Sequence, residues 1–343
     1  MRKYSSDEHL SFDDILLVPQ HSDIGSRKDV SLKTSIGHGF SSIGLGLPVI
    51  AAPMDTVCEW EMAVAIRKAG GLGIIHRYIS IEQQVKQIKM ARANDAIVGA
   101  SVGARGDYLD DALKLADAGA SLILIDIANG HSGYAINAAR ELRKIFGRTL
   151  HIMAGNISTW QGYSELAAAE VDSIRVGIGG GSACTTRVVS GHGVPTLASL
   201  LDIREHFGDY KNKPSIIADG GIRNSGDAAK ALAAGANAVM LGRMLAGALE
   251  SPGEVVDGCK VFRGMASAEA QQEGRGFVSG VEGVATTVPF VGKTQDVLEE
   301  FASGIRSALS YTGVDNLVDF YTYSLYNRVS SNSLHETKPH AKE

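Results

Sequence analysis

The sequence predicts a (β/α)8 (TIM) barrel, and three observations predict it. Eight short apolar runs recur between residues 48 and 241, separated by stretches of helical period. Runs apolar throughout suit strands of a parallel sheet buried on both faces. Seven of the eight runs are followed at once by a polar or glycine-rich segment, as the functional rim at the C-terminal ends of barrel strands requires. No GxGxxG turn opens the first unit, which argues against a doubly wound dinucleotide-binding sheet.

The elements follow in order. Residues 12–19 (FDDILLVP) make a charged turn before a short apolar run. The strand candidates are 48–52, 72–75, 97–102, 122–126, 150–153, 173–176, 215–218 and 238–241. Between the third and fourth, Leu109, Ala112, Leu113 and Ala116 share one helical face, with Asp110, Asp111 and Lys114 elsewhere on the wheel. Gly70, Gly119 and Gly235 each follow an alanine at the end of a helical stretch, where a left-handed cap returns the chain to the next strand. Residues 268–281 are polar and without pattern and read as part of a mobile flap, about 266–288. A helix over about 294–310 closes the fold, and the polar tail 330–343 reads as flexible. The whole is one barrel domain with its core at about 48–250.

Composition narrows the function. The chain has 343 residues, 44% of them apolar, and a net charge of −5. It has no basic run or stripe, which points away from nucleic acid and acidic membranes. No apolar run approaches the roughly 18 residues of a membrane span, and residues 1–10 lack a signal-peptide core. The three cysteines are far apart and odd in number, as in a reducing cytoplasm.

The chemistry concentrates after the sixth run, in GIGGGSACTTRVVSG, residues 177–191. Glycines let this loop fold back and gather backbone groups around Cys184. N–H dipoles and a nearby Arg187 favour the thiolate, which is the nucleophile. The competing reading is a buried cysteine used as a small hydrophobe. After the seventh and eighth runs stand Asp219-Gly220-Gly221 and Gly242-Arg243. Barrels commonly hold a phosphate between these two loops. The glycines bring N–H groups close to an anion, Arg243 adds charge, and Ser182 offers a hydroxyl. Asp219 repels phosphate but accepts from both hydroxyls of a ribose. The rim therefore reads as a nucleoside-monophosphate site.

The cysteine loop, with its Ser182, Cys184, Thr185, Thr186 and Arg187, closely resembles that of the IMP dehydrogenase/GMP reductase family, as does FDDILLVP. The resemblance runs from Phe12 to His340 and implies that Cys184 is catalytic, aided by Thr186 and by Glu282, seven residues before Pro289. It implies purine contacts from Gly264, Met265 and Ala266 and from Gly283. It implies a nicotinamide cofactor near Arg77, Asp126, Ile127, Ala128, Asn129, Ile178 and Gly179. Ser26 and Arg27 are then candidates for the 2′-phosphate of NADPH. It further implies a potassium ion on the backbone carbonyls of Gly179, Gly181 and Cys184, and a homotetramer. Arg243 departs from the family, which usually has glycine or serine there.

Within the family, several features resemble GMP reductases. Only 16 residues separate Met265 from Glu282, and they contain no Arg-Tyr pair. The dehydrogenases use such a pair to activate water. A regulatory insert domain is absent between Ala93 and Ile97, and Asn129 stands where dehydrogenases usually have histidine. Other features resemble dehydrogenases: GIIHRYISIEQQ (73–84), and Leu334, His335 and Glu336 with Pro339 and His340 in the tail. The expectation is an NADPH-dependent GMP reductase. An NAD-dependent IMP dehydrogenase is the alternative, and a non-catalytic purine-nucleotide-binding protein is the third reading.

Overall fold

The computed structural model describes residues 8–207, 213–330, 332, 333 and 336. Three short strands come first: β1 Ile15–Leu17, β2 Thr34–Ile36 and β3 Ile43–Leu45. All eight expected strands then form: β4 Val49–Ala51, β5 Leu72–Ile75, β6 Val98–Val102, β7 Leu122–Asp126, β8 His151–Ile157, β9 Ser173–Val176, β10 Ser215–Asp219 and β11 Ala238–Leu241. They pair in parallel and close into a barrel, with β11 returning to β4 through Val239 opposite Val49.

The helices between them are α1 Trp60–Lys68, α2 Ile81–Ala93, α3 Tyr108–Asp117, α4 Gly133–Phe146 and α5 Trp160–Ala168. Two helices follow β9, the single turn α6 Thr186–Val189 and α7 Thr196–Glu205; α8 Ser225–Ala233 follows β10 and α9 Arg243–Ala246 follows β11. Gly70, Gly119 and Gly235 all have positive φ, as a left-handed turn out of a helix requires. The α2–β6 connection runs directly from Ala93 to Val98.

Two apolar layers hold the fold. The barrel interior is filled by side chains such as Ile50, Leu72, Ile74, Leu122, Leu124, Met153, Ile217 and Met240. Ile36, Ile43 and Leu45 of the β2–β3 hairpin belong to the same cluster and so plug one end of the barrel. The larger layer lies between strands and helices, where alanines of α4 and α8 let the helices approach closely.

Beyond the barrel, β12 Cys259–Arg263 and β13 Ala285–Pro289 form an antiparallel pair, joined through α10 Ala268–Arg275. Part of the segment expected to form the flap is therefore helical. Ser267 supplies the reason, since its hydroxyl caps the helix by accepting from Ala270 N–H at 3.2 Å. The closing helix, α11 Thr294–Thr312, packs between α1 and α8. After it come α12 Leu317–Tyr323 and β14 Tyr326–Arg328, which pairs with β1. Leu334, His335, Pro339 and His340 lie outside the described residues.

Candidate active site

A cavity of about 830 Å³ opens at the C-terminal ends of the barrel strands. Its wall is built by the loops after β4, β5, β7, β9, β10 and β11, with the β12–β13 hairpin above. Such a volume lies at the upper end of small-molecule sites, which span roughly 300–1,000 Å³.

Cys184 lies on this wall. Its loop pairs with the end of the flap as a short antiparallel ladder: Cys184 bridges Gly283, Thr185 N–H donates to the Glu282 carbonyl at 2.9 Å, and Val284 N–H donates to the Ala183 carbonyl at 3.0 Å. That ladder brings together side chains 96 residues apart in sequence. The Thr186 hydroxyl donates to Glu282 Oε2 at 2.7 Å, and Cys184 Sγ lies 3.1 Å from the same hydroxyl oxygen. Thr186 has one proton and gives it to the carboxylate, so the thiol is the donor in the other bond. The result is a directed chain, S–H to O–H to carboxylate.

The other two cysteines do not line the cavity. Cys58 is fully buried, and burial pushes its thiol up to about 12. Arg187, expected beside the thiol, packs instead against Gly179 and Gly193 and does not line the cavity.

The loop glycines have structural reasons. A Cβ on Gly177 would stand 1.9 Å from the carbonyl oxygen of Asp219, so only glycine lets the β9 and β10 loops pass this closely. A Cβ on Gly220 would meet the Gly180–Gly181 backbone at 3.0 Å. The N-terminal FDD turn braces the same place. Phe12 lies beneath Gly221, Asp13 pairs with Arg223, and Lys230 Nζ donates to the Phe12 carbonyl at 2.8 Å.

At the base of these loops is a cluster that the sequence did not reveal. Arg175, inside an apolar run, is 8% exposed. Its Nε and Nη2 donate to Asp219 Oδ2 at 3.3 and 2.8 Å, and its Nη1 donates to Asp126 Oδ1 at 2.6 Å. Asn156 adds a donor to Asp219 Oδ2 at 2.8 Å. A register shift in β8 between Gly155 and Ile157 sets Asn156 apart from the ladder. Arg77 lies 3.5 Å from Asp126 Oδ2. Burial alone raises the Asp126 carboxyl, but Arg175 and Arg77 outweigh it and hold the group below the usual carboxylate range.

The flap helix docks on the loop after β5. The Arg275 guanidinium lies 4.9 Å from the centre of the Tyr78 ring, and Arg275 and Tyr78 both line the cavity. Glu273 pairs with Arg263, which also pairs with Asp55 at 2.6 Å. Burial pushes the Tyr78 phenol above its ordinary value.

Of the residues singled out from sequence, the cavity gathers Cys184, Thr186, Glu282, Ser182, Asp219, Gly220, Gly221, Gly242, Arg243, Gly264, Met265 and Ala266. It also gathers Arg77, Asp126, Ile127, Ala128, Ile178, Gly179 and Gly181. Gly283 is buried behind the wall, where its backbone meets Cys184. Asn129 is not brought to the cavity; it is exposed and its side chain accepts from His131 N–H at 3.1 Å. Ser26 and Arg27 are not brought there either. The Ser26 hydroxyl caps the single turn Arg27–Asp29, which packs on α11.

The chain matches the family model described as IMP dehydrogenase / GMP reductase domain over residues 9–340. It is 31% identical to inosine-5'-monophosphate dehydrogenase of Nitrosopumilus maritimus, covering 97% of this chain and 98% of that one. It is 30% identical to GMP reductase of Leishmania major, with 97% of each chain covered. The structure of GMP reductase from Trypanosoma brucei in complex with guanosine 5'-monophosphate superposes with a TM-score of 0.91 at 27% identity, covering 99% of both chains.

Proposed function

The chain belongs to the IMP dehydrogenase/GMP reductase family, a family of oxidoreductases acting with NAD(P), and from that premise we propose that it is an NADPH-dependent GMP reductase. The observation that carries this reading is the chain Cys184–Thr186–Glu282, which ends on a carboxylate able to receive the thiol proton and return it. Cys184 adds through sulfur to C2 of GMP. Its proton passes through Thr186 to Glu282. The same path then runs backward, and Thr186 delivers a proton to the amino group leaving C2 as ammonia. This leaves the purine joined to sulfur as a thioimidate. NADPH, when bound, supplies the hydride that C2 requires. The C2–S bond then breaks, IMP leaves, and the sulfur is restored. General-acid help of this kind is worth about 10²–10⁴-fold.

The remaining residues bind and orient. Asp219 accepts from the ribose, and Gly220, Gly221, Gly242, Ser182 and Arg243 surround the phosphate. Gly264, Met265 and Ala266 line the purine side. The cavity's volume and its two separate carboxylates, Asp219 and Asp126, suit two ribose-bearing ligands at once. Potassium fits the carbonyls of Gly179, Gly181 and Cys184, an oxygen donor set that suits a hard cation. The Gly181 carbonyl keeps a lone pair free beside its bond from Cys184 N–H. The homotetramer is carried over from the family, and light scattering tests it.

One observation favours a second reading, IMP dehydrogenase. The flap lacks an Arg-Tyr pair in sequence, yet Arg275 and Tyr78 meet at the cavity from two separate segments. An arginine beside a tyrosine is what the dehydrogenases use to activate water. Two assays decide. Purified protein with GMP and NADPH consumes the reduced nicotinamide and releases ammonia if the reductase reading holds. With IMP and NAD it forms NADH if the dehydrogenase reading holds. In either case Cys184→Ala abolishes turnover and the covalent adduct seen by mass spectrometry. An active Cys184→Ala protein refutes both.

A further inference from the structure

We infer that Arg175 couples the two halves of the cavity, so that a ligand on Asp219 and a ligand on Asp126 each raise the other's affinity. This rests on the reading above, in which Asp219 takes the nucleotide's ribose and Asp126 faces the dinucleotide. Arg175 is a positioning residue in this scheme, acting through the two carboxylates.

The geometry supports it from four sides. First, one guanidinium serves both acids: two of its nitrogens are on Asp219 Oδ2 and a third is on Asp126 Oδ1. Second, its stem is held, while the guanidinium at its end hydrogen-bonds, among the described residues, to the two acids alone. Arg175 is buried, and a Cβ on Gly155 would stand 2.5 Å from the Arg175 Cβ, so strand β8 closes on its stem. Third, each carboxylate commits one oxygen to Arg175. Asp219 Oδ2 also holds Asn156, and Asp126 Oδ2 faces Arg77. The direction in which each acid offers its remaining lone pairs is thus set by the same planar group. Fourth, a guanidinium can fork between two acids, whereas an ammonium is a point charge that cannot reproduce the geometry. A ligand that orders either acid orders Arg175 and, through it, the other acid. The second ligand then meets a site with less freedom left to lose, which is positive coupling.

The test uses the whole chain carrying Cys184→Ala, so that binding is measured without the covalent step. GMP is titrated by calorimetry alone and with saturating NADPH, and NADPH alone and with saturating GMP. IMP with NAD is run alongside, so the result does not depend on which reaction the enzyme performs. The Kd of each ligand is expected to fall about fivefold or more when the other is present, by the same factor in both directions. With Arg175→Lys added, that factor is expected to drop to within about twofold of one. Asp126→Asn is expected to weaken GMP about threefold or more when Arg175 is present and to leave it unchanged in the Arg175→Lys background, a cycle that a purely structural arginine would not produce.

Absence of coupling in the Arg175 protein overturns the proposal. So does an Asp126→Asn variant whose GMP affinity is unchanged, or is lowered equally in both backgrounds. Should Arg175→Lys not fold by circular dichroism, the coupling factor of the Arg175 protein and the single Asp126→Asn variant still decide. Asp219→Asn separates the two layers of the argument. If GMP binds it as tightly as before, what fails is the placement of the ribose on Asp219.

Discussion

Replacing Thr186 by valine removes one hydroxyl and keeps the branched shape. In the structure that hydroxyl makes two contacts, 3.1 Å from the Cys184 sulfur and 2.7 Å to Glu282 Oε2. It is the one group joining the nucleophile to the carboxylate. Without it, the thiol proton has no path to Glu282, and Glu282 has no path to the leaving amine. The loss is the general-acid contribution, about 10²–10⁴-fold in the chemical step, or about 3–5 kcal/mol. On the proposed reading, ground-state binding rests on other groups, the cavity-lining loops at 219–221 and 242–243. The Kd for GMP is therefore expected to move by less than about threefold. The assay is rapid-quench measurement of ammonia released in the first turnover, with calorimetry for Kd. Thr186→Ser restores a hydroxyl and is expected to recover most of the rate. If Thr186→Val slows ammonia release by less than about tenfold, below the range for general-acid help, the relay is not the proton path.

Other expectations follow from the same structure. Glu282→Gln keeps the hydrogen bond to Thr186 but cannot hold a proton in transit, so ammonia release is expected to slow about 10²-fold or more, with little change in GMP affinity. Comparable losses in both would point to a binding role. Gly177→Ala places a methyl 1.9 Å from the Asp219 carbonyl at φ +142°, so the β9 and β10 loops must part. A lower Tm, from about 1–3 kcal/mol of strain or more, should accompany weakened nucleotide binding. An unchanged Tm would contradict the packing described. His151 gives a pH effect with a definite sign. Burial holds its imidazole down to about 4, against 6.5 for the ordinary group. As pH falls the unfolded chain takes up that proton first. The contribution is therefore complete above pH 6.5 and is lost between about 6.5 and 4. His151→Asn keeps a donor toward the Ser41 carbonyl, which accepts from Nδ1 at 2.9 Å, but does not titrate. Chemical denaturation across that window should give a shallower fall for the variant, and parallel curves would refute the assignment.

Much of this protein was legible before folding. The eight strands follow from local composition, because a strand buried on both faces must be apolar throughout, and short apolar runs show that directly. The cysteine loop and the glycine pair at 220–221 were equally visible, since the close approach of two backbones needs residues without side chains. Helix α10 was missed because its residues carry no apolar stripe. It is held by the Ser267 cap and by Arg275 and Gly274 lying on Tyr78, a partner almost 200 positions away.

What the tertiary structure alone decided is which distant groups share an atom's reach. Spacing nominated Glu282, but only the ladder between Cys184 and Gly283 sets its carboxylate on Thr186. Ser26, Arg27 and Asn129 matched a pattern and yet, in this chain, do not reach the cavity. Arg175 was invisible for the opposite reason. Among apolar neighbours it reads as a strand residue, and its two ion pairs exist only because parallel pairing sets the ends of β7 and β10, with Asp126 and Asp219, on either side of it. Apolar periodicity is a property of neighbours along the chain, whereas a buried charge is explained by partners that the fold supplies.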